Sequence, residues 1–288
     1  MKSLTFIKNM RLGLSTIIIS IIGLVIILVL AVTAIFAPLI APHDPTEGSL
    51  DNRLIPPCWQ AGGSSENLLG TDLLGRDILS RIIWGARTSL AVAVVAILFA
   101  GIVGSLLGIA AGYLGGWIDI IIMRAADLAF SFPAILLALV LAVVLGASFL
   151  NIIIVISLIL WAEYARMARG ETLRVKEMDF VALARVAGCS KLSIMIRHIL
   201  PNVASSLIVL ATLQVGIVII IESSLSFLGV GIPPPTPDWG SMISEGRSYI
   251  VSAWWLSVVP GVAILVTVLS FNLLGDAITE FLNPARQV

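Results

Sequence analysis

The sequence predicts an all-α integral membrane protein with about six transmembrane helices and both termini on the cytoplasmic side. Three observations carry that prediction. Of 288 residues, 59% are hydrophobic and 12% charged, about half the charged share of a soluble domain, so lipid must solvate much of the surface. Apolar runs of the roughly 20 residues needed to cross a bilayer recur along the chain. Lys and Arg are divided unevenly between the segments that join those runs. Mean hydropathy is +1.08. Net charge is zero and the pI is about 6.7, which gives no electrostatic footing for nucleic acid.

The expected spans are 17–41, 88–112, 121–146, 149–168, 203–223 and 255–280, with softer ends on the last three where charges intrude. The first is read as a retained anchor. Its apolar run exceeds the roughly 7–15 residues of a signal peptide, and Pro38 and Pro42 follow without a small-residue cleavage site. The chain then divides into a cytoplasmic N-terminus 1–16, the first helix 17–41, an extracytoplasmic segment 42–87 and a five-helix core 88–288. That core contains a cytoplasmic loop 176–202 and an outer loop 224–254. With this topology Lys2, Lys8, Arg11, Arg124, Arg166, Arg169, Arg174, Lys176, Arg185, Lys191, Arg197 and Arg286 lie inside. Only Arg53, Arg76, Arg81, Arg87 and Arg247 lie outside, as the positive-inside rule requires.

Within the spans, Gly104, Gly108 and Gly112 repeat every four residues behind Gly101. They predict a close helix–helix seam inside the chain. Pro133 and Pro260 are expected to kink or unwind the third and sixth spans. Glu222 near the outer end of the fifth span and Glu163 near the inner end of the fourth have to face protein or water. For Glu222 two readings stand side by side: a residue of a substrate path, or a structural partner of Arg247. No span carries the series of mid-membrane charges expected of an ion-coupled carrier. His43, His198, Cys58 and Cys189 form no metal-ligand pattern, and the topology puts the two cysteines on opposite sides of the membrane.

The loop 176–202 reads KEMDFVALARVAGCSKLSIMIRHILPN. Phe180, Val181, Ala184 and Ala187 recur at helical spacing, with Arg185 off that stripe. Gly188 suits a left-handed helix end and Ser190 an N-cap for a second helix, Lys191 to Leu200. Pro201 stops that helix or opens the next span. Two short helices joined at a glycine turn make an object able to dock into a groove on a cytoplasmic partner.

Aligned on Gly188, the segment resembles the EAA loop of binding-protein-dependent ABC importer permeases. The signature falls on Ala182, Leu183 and Ala184, then Gly188, then His198, Ile199, Leu200 and Pro201. Ala182 replaces the family Glu and His198 the family Ile, and the ending resembles the peptide/nickel branch. Further matches run from about 36 to 286. They are Leu69-Gly70-Thr71-Asp72-Leu73-Leu74-Gly75-Arg76-Asp77 with Ser80-Arg81 and Gly85 to Leu90; Gly115-Gly116-Trp117 with Asp119, Met123-Arg124 and Asp127; Ser226-Phe227-Leu228-Gly229 with Pro234 to Gly240; and Phe271-Asn272, Gly275-Asp276 and Asn283-Pro284. The segment 69–77 and the proline loop are similar to those of the C-type subunit.

The resemblance implies a type I ABC importer permease fold in a bacterial or archaeal cytoplasmic membrane. It implies a subunit that translocates short peptides, di- or oligopeptides, delivered by an extracytoplasmic binding protein. It further implies a second, B-type permease subunit and two cytoplasmic ABC ATPase subunits that hold the ATP and Mg. The chain itself has no catalytic residues to offer and no Gly-x-x-x-x-Gly-Lys-[Ser/Thr] phosphate loop. ATPase coupling is expected at Ala182, Leu183, Ala184, Arg185, Gly188, Ser190, His198, Leu200 and Pro201. Glu222, Ser226 and Phe227 are candidates for a path or gate, and Asp72, Arg76, Asp77, Pro235 and Trp239 for docking of the binding protein. Plainer roles stand beside these. Asp77 and Arg81, four apart, stabilise a helix by a few tenths of a kcal/mol. Trp239, Trp254 and Trp255 anchor an interface, Pro233 to Pro237 form a stiff extended segment, and His198 packs in the loop. A nickel, metal-chelate or glutathione importer of the same family is the alternative substrate reading. A secondary carrier or channel would need no ATPase.

Overall fold

The computed structural model describes residues 21–282. The expected N-terminus 1–16, the start of the first span, Asn283-Pro284 and Arg286 lie outside them. The described residues are helical throughout their regular structure, and the chain is a multi-pass membrane protein. A first apolar helix, α1 (Ile21–Ile35), turns at Phe36 into the short α2 (Ala37–Ile40), with a proline in its first turn. Among the described residues, four helices are long and apolar enough to cross a membrane: α3 (Ile78–Leu114), α6 (Phe149–Val175), the continuous run Lys191–Phe227, and α11 (Trp255–Leu282).

The third expected span is divided. α4 (Gly116–Phe130) and α5 (Ala134–Leu145) meet at 92°. Pro133 sits at the break as the residue capping α5, with extended backbone. Its ring clashes with helical geometry in the preceding residue, and it offers no N–H to continue α4. α11 runs through Pro260 without unwinding, although a proline past the first turn gives up the N–H that would have bonded one turn back.

α3 and α6 pack along most of their length, and the glycine stripe is the reason. A Cβ on Gly104 would run into the Trp161 carbonyl and stand 2.7 Å from Tyr164 Cβ. One on Gly108 would meet the Ala165 carbonyl and Ala168 Cβ at 2.8 Å, and one on Gly112 would lie 2.9 Å from Thr172 Cβ. Bare backbone lets the axes close, which is how membrane helices associate where lipid removes the hydrophobic drive. α9 (Leu200–Phe227) packs against α3, α6 and α11. Two buried hydroxyls satisfy themselves within their own helices: Ser157 Oγ donates to the Ile153 carbonyl at 2.7 Å and Ser270 Oγ to the Val266 carbonyl at 2.7 Å, so neither is left unpaired in lipid.

Two features cap the bundle at opposite ends of α3. At its N-terminal end, residues 42–77 fold without long helices into a platform beneath α10 (Trp239–Gly246). At its C-terminal end lies the loop 176–202, built on α7 (Asp179–Val186) and α8 (Lys191–Ile194).

Candidate functional site: the helical loop and the opposite platform

α6 ends at Val175, and Lys176 Nζ donates to the Gly112 carbonyl at 3.1 Å, tying the loop to the end of α3. α7 stops where the sequence predicts. Gly188 has φ +79°, its N–H donates to Arg185 O at 3.1 Å, and Cys189 N–H donates to Ala184 O at 3.1 Å. This paired closure of the last carbonyls needs a left-handed residue at that position. Ser190 then caps α8, accepting from Ser193 N–H at 3.2 Å.

The expected second short helix does not end at Leu200. α8 passes through one wide π turn (Met195–Ile199) into α9, so Lys191–Phe227 is one continuous element. Pro201 lies in the first turn of α9. Its missing N–H and its ring require the preceding turn to open, and a π turn does this without breaking the helix. Asn202 Nδ2 donates to the His198 carbonyl at 2.7 Å, using an acceptor in the widened turn. His198 itself is half-buried within it, and Leu200 packs on the core.

The apolar stripe of the loop serves two directions. Val181 and Ala184 turn inward and join Ile194, Ile199 and Val175 in the core. Leu183 and Val186 point away, 68% and 87% exposed, and Leu192 and Ile196 continue that outward face. Ala182 and Ala187 are exposed as well. Arg185 donates to the Lys176 carbonyl at 3.2 Å and lies 5.6 Å from the Tyr113 ring. Val186, Leu192 and Ile196 were missed by the single-stripe reading. The signal was present, because α7 carries apolar residues on both faces and a two-sided helix needs two contacts.

The platform corrects several assignments. Asp72, Arg76, Asp77 and Trp239 are buried inside the chain, so none presents a docking surface; of that set Pro235 alone is exposed. Asp72 accepts from Arg76 Nε at 2.6 Å and from Arg81, and both arginines reach Glu245 on α10, at 3.1 and 2.8 Å. Asp77 does not pair with Arg81. It caps α3 through Ser80 N–H at 2.8 Å and accepts from Asn67 Nδ2 at 3.0 Å. Trp239 and Trp255 are buried too, their indole N–H groups donating to the Ile82 and Thr71 carbonyls, each at 3.1 Å. They pin the platform to the bundle rather than float at an interface. Pro234 and Pro235 sit in a turn, not an extended run.

Glu222 is fully buried and accepts from Ser89 Oγ at 3.0 Å and Ser226 Oγ at 3.3 Å, which joins α9 to α3. Arg247 is not its partner. That guanidinium lies 5.8 Å from the Phe227 ring. Glu163 accepts from the buried Gln214, joining α6 to α9, and Ser206 Oγ adds a bond to Glu171 at 3.1 Å nearer the loop. Cys58 and Cys189 are both free and exposed.

Residues 104–288 match the family described as binding-protein-dependent transport system inner membrane component. Residues 19–57 match the N-terminal TM domain of oligopeptide transport permease C. The chain is 41% identical over 262 residues to a di/tripeptide transport system permease protein of Pseudomonas aeruginosa, covering 91% of this chain and 86% of that one. It is 42% identical over 265 residues to a dipeptide transport system permease protein of Haemophilus influenzae, covering 92% and 90%. It is 43% identical over 258 residues to a glutathione transport system permease protein of Escherichia coli, covering 90% and 84%. A membrane bundle with a protruding helical loop, matched over most of its length, therefore belongs to the binding-protein-dependent transport system inner membrane component family.

Proposed function

We propose that the chain is the transmembrane permease subunit of an ABC importer for short peptides in the bacterial inner membrane. The N- and C-termini and loop 176–202 lie in the cytoplasm, and the platform lies outside. The observation that carries this reading is the outward apolar face of Leu183, Val186, Leu192 and Ile196 on a loop continuous with a spanning helix. Such a face needs a partner, and a helix laid in a groove is a general way to supply one. The partner in this reading is an ABC ATPase dimer that holds the ATP and Mg, working beside a second, B-type permease subunit.

Closure of the ATPases moves α7 and α8. Because α8 runs into α9, and α9 is bonded to α6 through Glu163–Gln214 and Glu171–Ser206, α6 and α9 follow as a unit and the path opens outward. A peptide-binding protein docks on exposed platform residues such as Leu50, Trp59, Leu74 and Pro235 and releases its cargo. The similarity to permeases named for glutathione transport favours a second substrate reading within the same class, a γ-linked tripeptide.

The test is purification of the tagged chain in mild detergent with identification of its partners, followed by peptide uptake and ATPase assays of the reconstituted complex. Recovery of a second permease and nucleotide-binding subunits is the expected outcome. Gly188→Val should then separate ATP hydrolysis from uptake in a complex that still assembles. Uptake that needs no ATPase partner would reverse the reading in favour of a carrier.

A further inference from the structure

We propose that a cleft behind the coupling loop is a binding site for a phosphate-bearing anion. The cleft, about 460 Å³, lies between the end of α3 and the loop and is lined by Tyr113, Lys176, Glu177, Arg185, Cys189 and Lys191 among others. Three cations therefore face one carboxylate. Among the described residues none of the three stands within ion-pair distance of an acid. The nearby Asp119 is engaged by Arg169, at 2.7 Å. Lys176 spends one donor on Gly112 O and Arg185 one on Lys176 O, so most of the Arg185 fork and all of Lys191 remain available. An arginine fork with a flexible ammonium beside it matches the oxygens of a phosphate.

The turn that follows the cleft-lining Leu114 favours a membrane source. Leu114, Trp117 and Ile118, at the turn between α3 and α4, are 38%, 79% and 43% exposed. An exposed tryptophan at a helix end marks headgroup depth, and basic pockets between membrane helices at that depth take anionic headgroups. A free phosphate carries the same chemistry. This inference rests on the membrane fold and not on peptide transport, so it stands or falls independently of that reading.

Cys189 lines the cleft, and Cys58 lies at the far end of the molecule, so thiol labelling reads occupancy with a built-in reference. The full chain, with and without its ATPase subunits, is placed in nanodiscs of phosphatidylcholine alone or with phosphatidylglycerol, at constant ionic strength. Phosphatidylglycerol is expected to slow maleimide labelling of Cys189 about fivefold or more at saturation and to leave Cys58 unchanged. Slowing by inorganic phosphate in neutral discs would assign the site to a soluble anion instead. Lys191→Gln should abolish the slowing and Lys191→Arg should keep it, with the Cys58 rate confirming the fold of each. No slowing in either arm, or equal slowing in Lys191→Gln, overturns the proposal. So does slowing that appears only with bound ATPase subunits, which would give the cleft to an acidic side chain of that partner.

Discussion

Gly104 and Gly188 are both glycines for which a side chain is forbidden, and for opposite reasons. At Gly104 the obstacle is a neighbour: the Trp161 carbonyl occupies the place of a Cβ. Gly104→Val should therefore lower stability by about 1–3 kcal/mol through overpacking, read as a fall in the midpoint of thermal unfolding in detergent. Gly101→Ala is the control. Its Cβ would stand 3.5 Å from Tyr164, an ordinary contact, and the midpoint should hold. At Gly188 nothing lies within 4 Å, and the obstacle is the positive φ alone. Gly188→Asn should retain more coupling of hydrolysis to transport than Gly188→Val, because Asn tolerates the left-handed region and a β-branched residue does not. Equal coupling in the two variants would show that the turn is not held left-handed. Both glycines were legible in the sequence, one from a period of four and the other from its place between two helical stripes. The Glu222 partners were not. Ser89 lies 133 residues away, and nothing in a linear pattern distinguishes it from the other hydroxyls that satisfy themselves on their own helices.

The arginine–carboxylate network links the start of α3 to α10, and its energetics follow from burial. Asp72, Arg76 and Arg81 are almost completely enclosed, while the Glu245 side chain is 32% exposed. Removing Asp72 leaves two guanidiniums enclosed with a single partly solvated carboxylate. Asp72→Ala should thus cost about 3–5 kcal/mol, the range for breaking a buried pair. Glu245→Gln should cost much less, since both arginines keep Asp72. Thermal unfolding together with limited proteolysis of the platform measures the difference. If the two substitutions were equally mild, the network would contribute no more than exposed ion pairs do. The sequence signalled the wrong pair here. Asp77 and Arg81 have helical spacing, but α3 begins at Ile78, so Asp77 becomes a cap and Arg81 turns to residues nine and 164 positions away. Local spacing reports only partners on the same helix. The same limit explains the divided third span: the apolar run was visible and Pro133 marked the break, but a bend of 92° depends on what the two halves pack against.

At the scale of the whole molecule, α3 sets the geometry, because its 37 residues extend about 55 Å against a hydrocarbon core of about 30 Å. Its first turns therefore belong to the platform and its last to the loop, and the two ends stand on opposite sides of a membrane. The expected spans overlap the apolar helices, but hydropathy read α3 ten residues late, because Arg81 and Arg87 are charges that a hydropathy reading places in water and the fold encloses Arg81. Which end faces the cytoplasm is a matter of charge. Lys176, Arg185, Lys191 and Arg197 lie at the loop end, so the loop should be inside. The two free cysteines test this directly, with Cys58 on the platform and Cys189 on the loop, both exposed. A membrane-impermeant maleimide applied to intact spheroplasts should label Cys58 and spare Cys189. Permeabilisation should then admit it to Cys189, and Cys58→Ser should remove the first signal alone. Labelling of Cys189 in intact spheroplasts would invert the molecule, leaving the outward apolar face of α7 and α8 without access to any ATPase and ending the coupling reading at once.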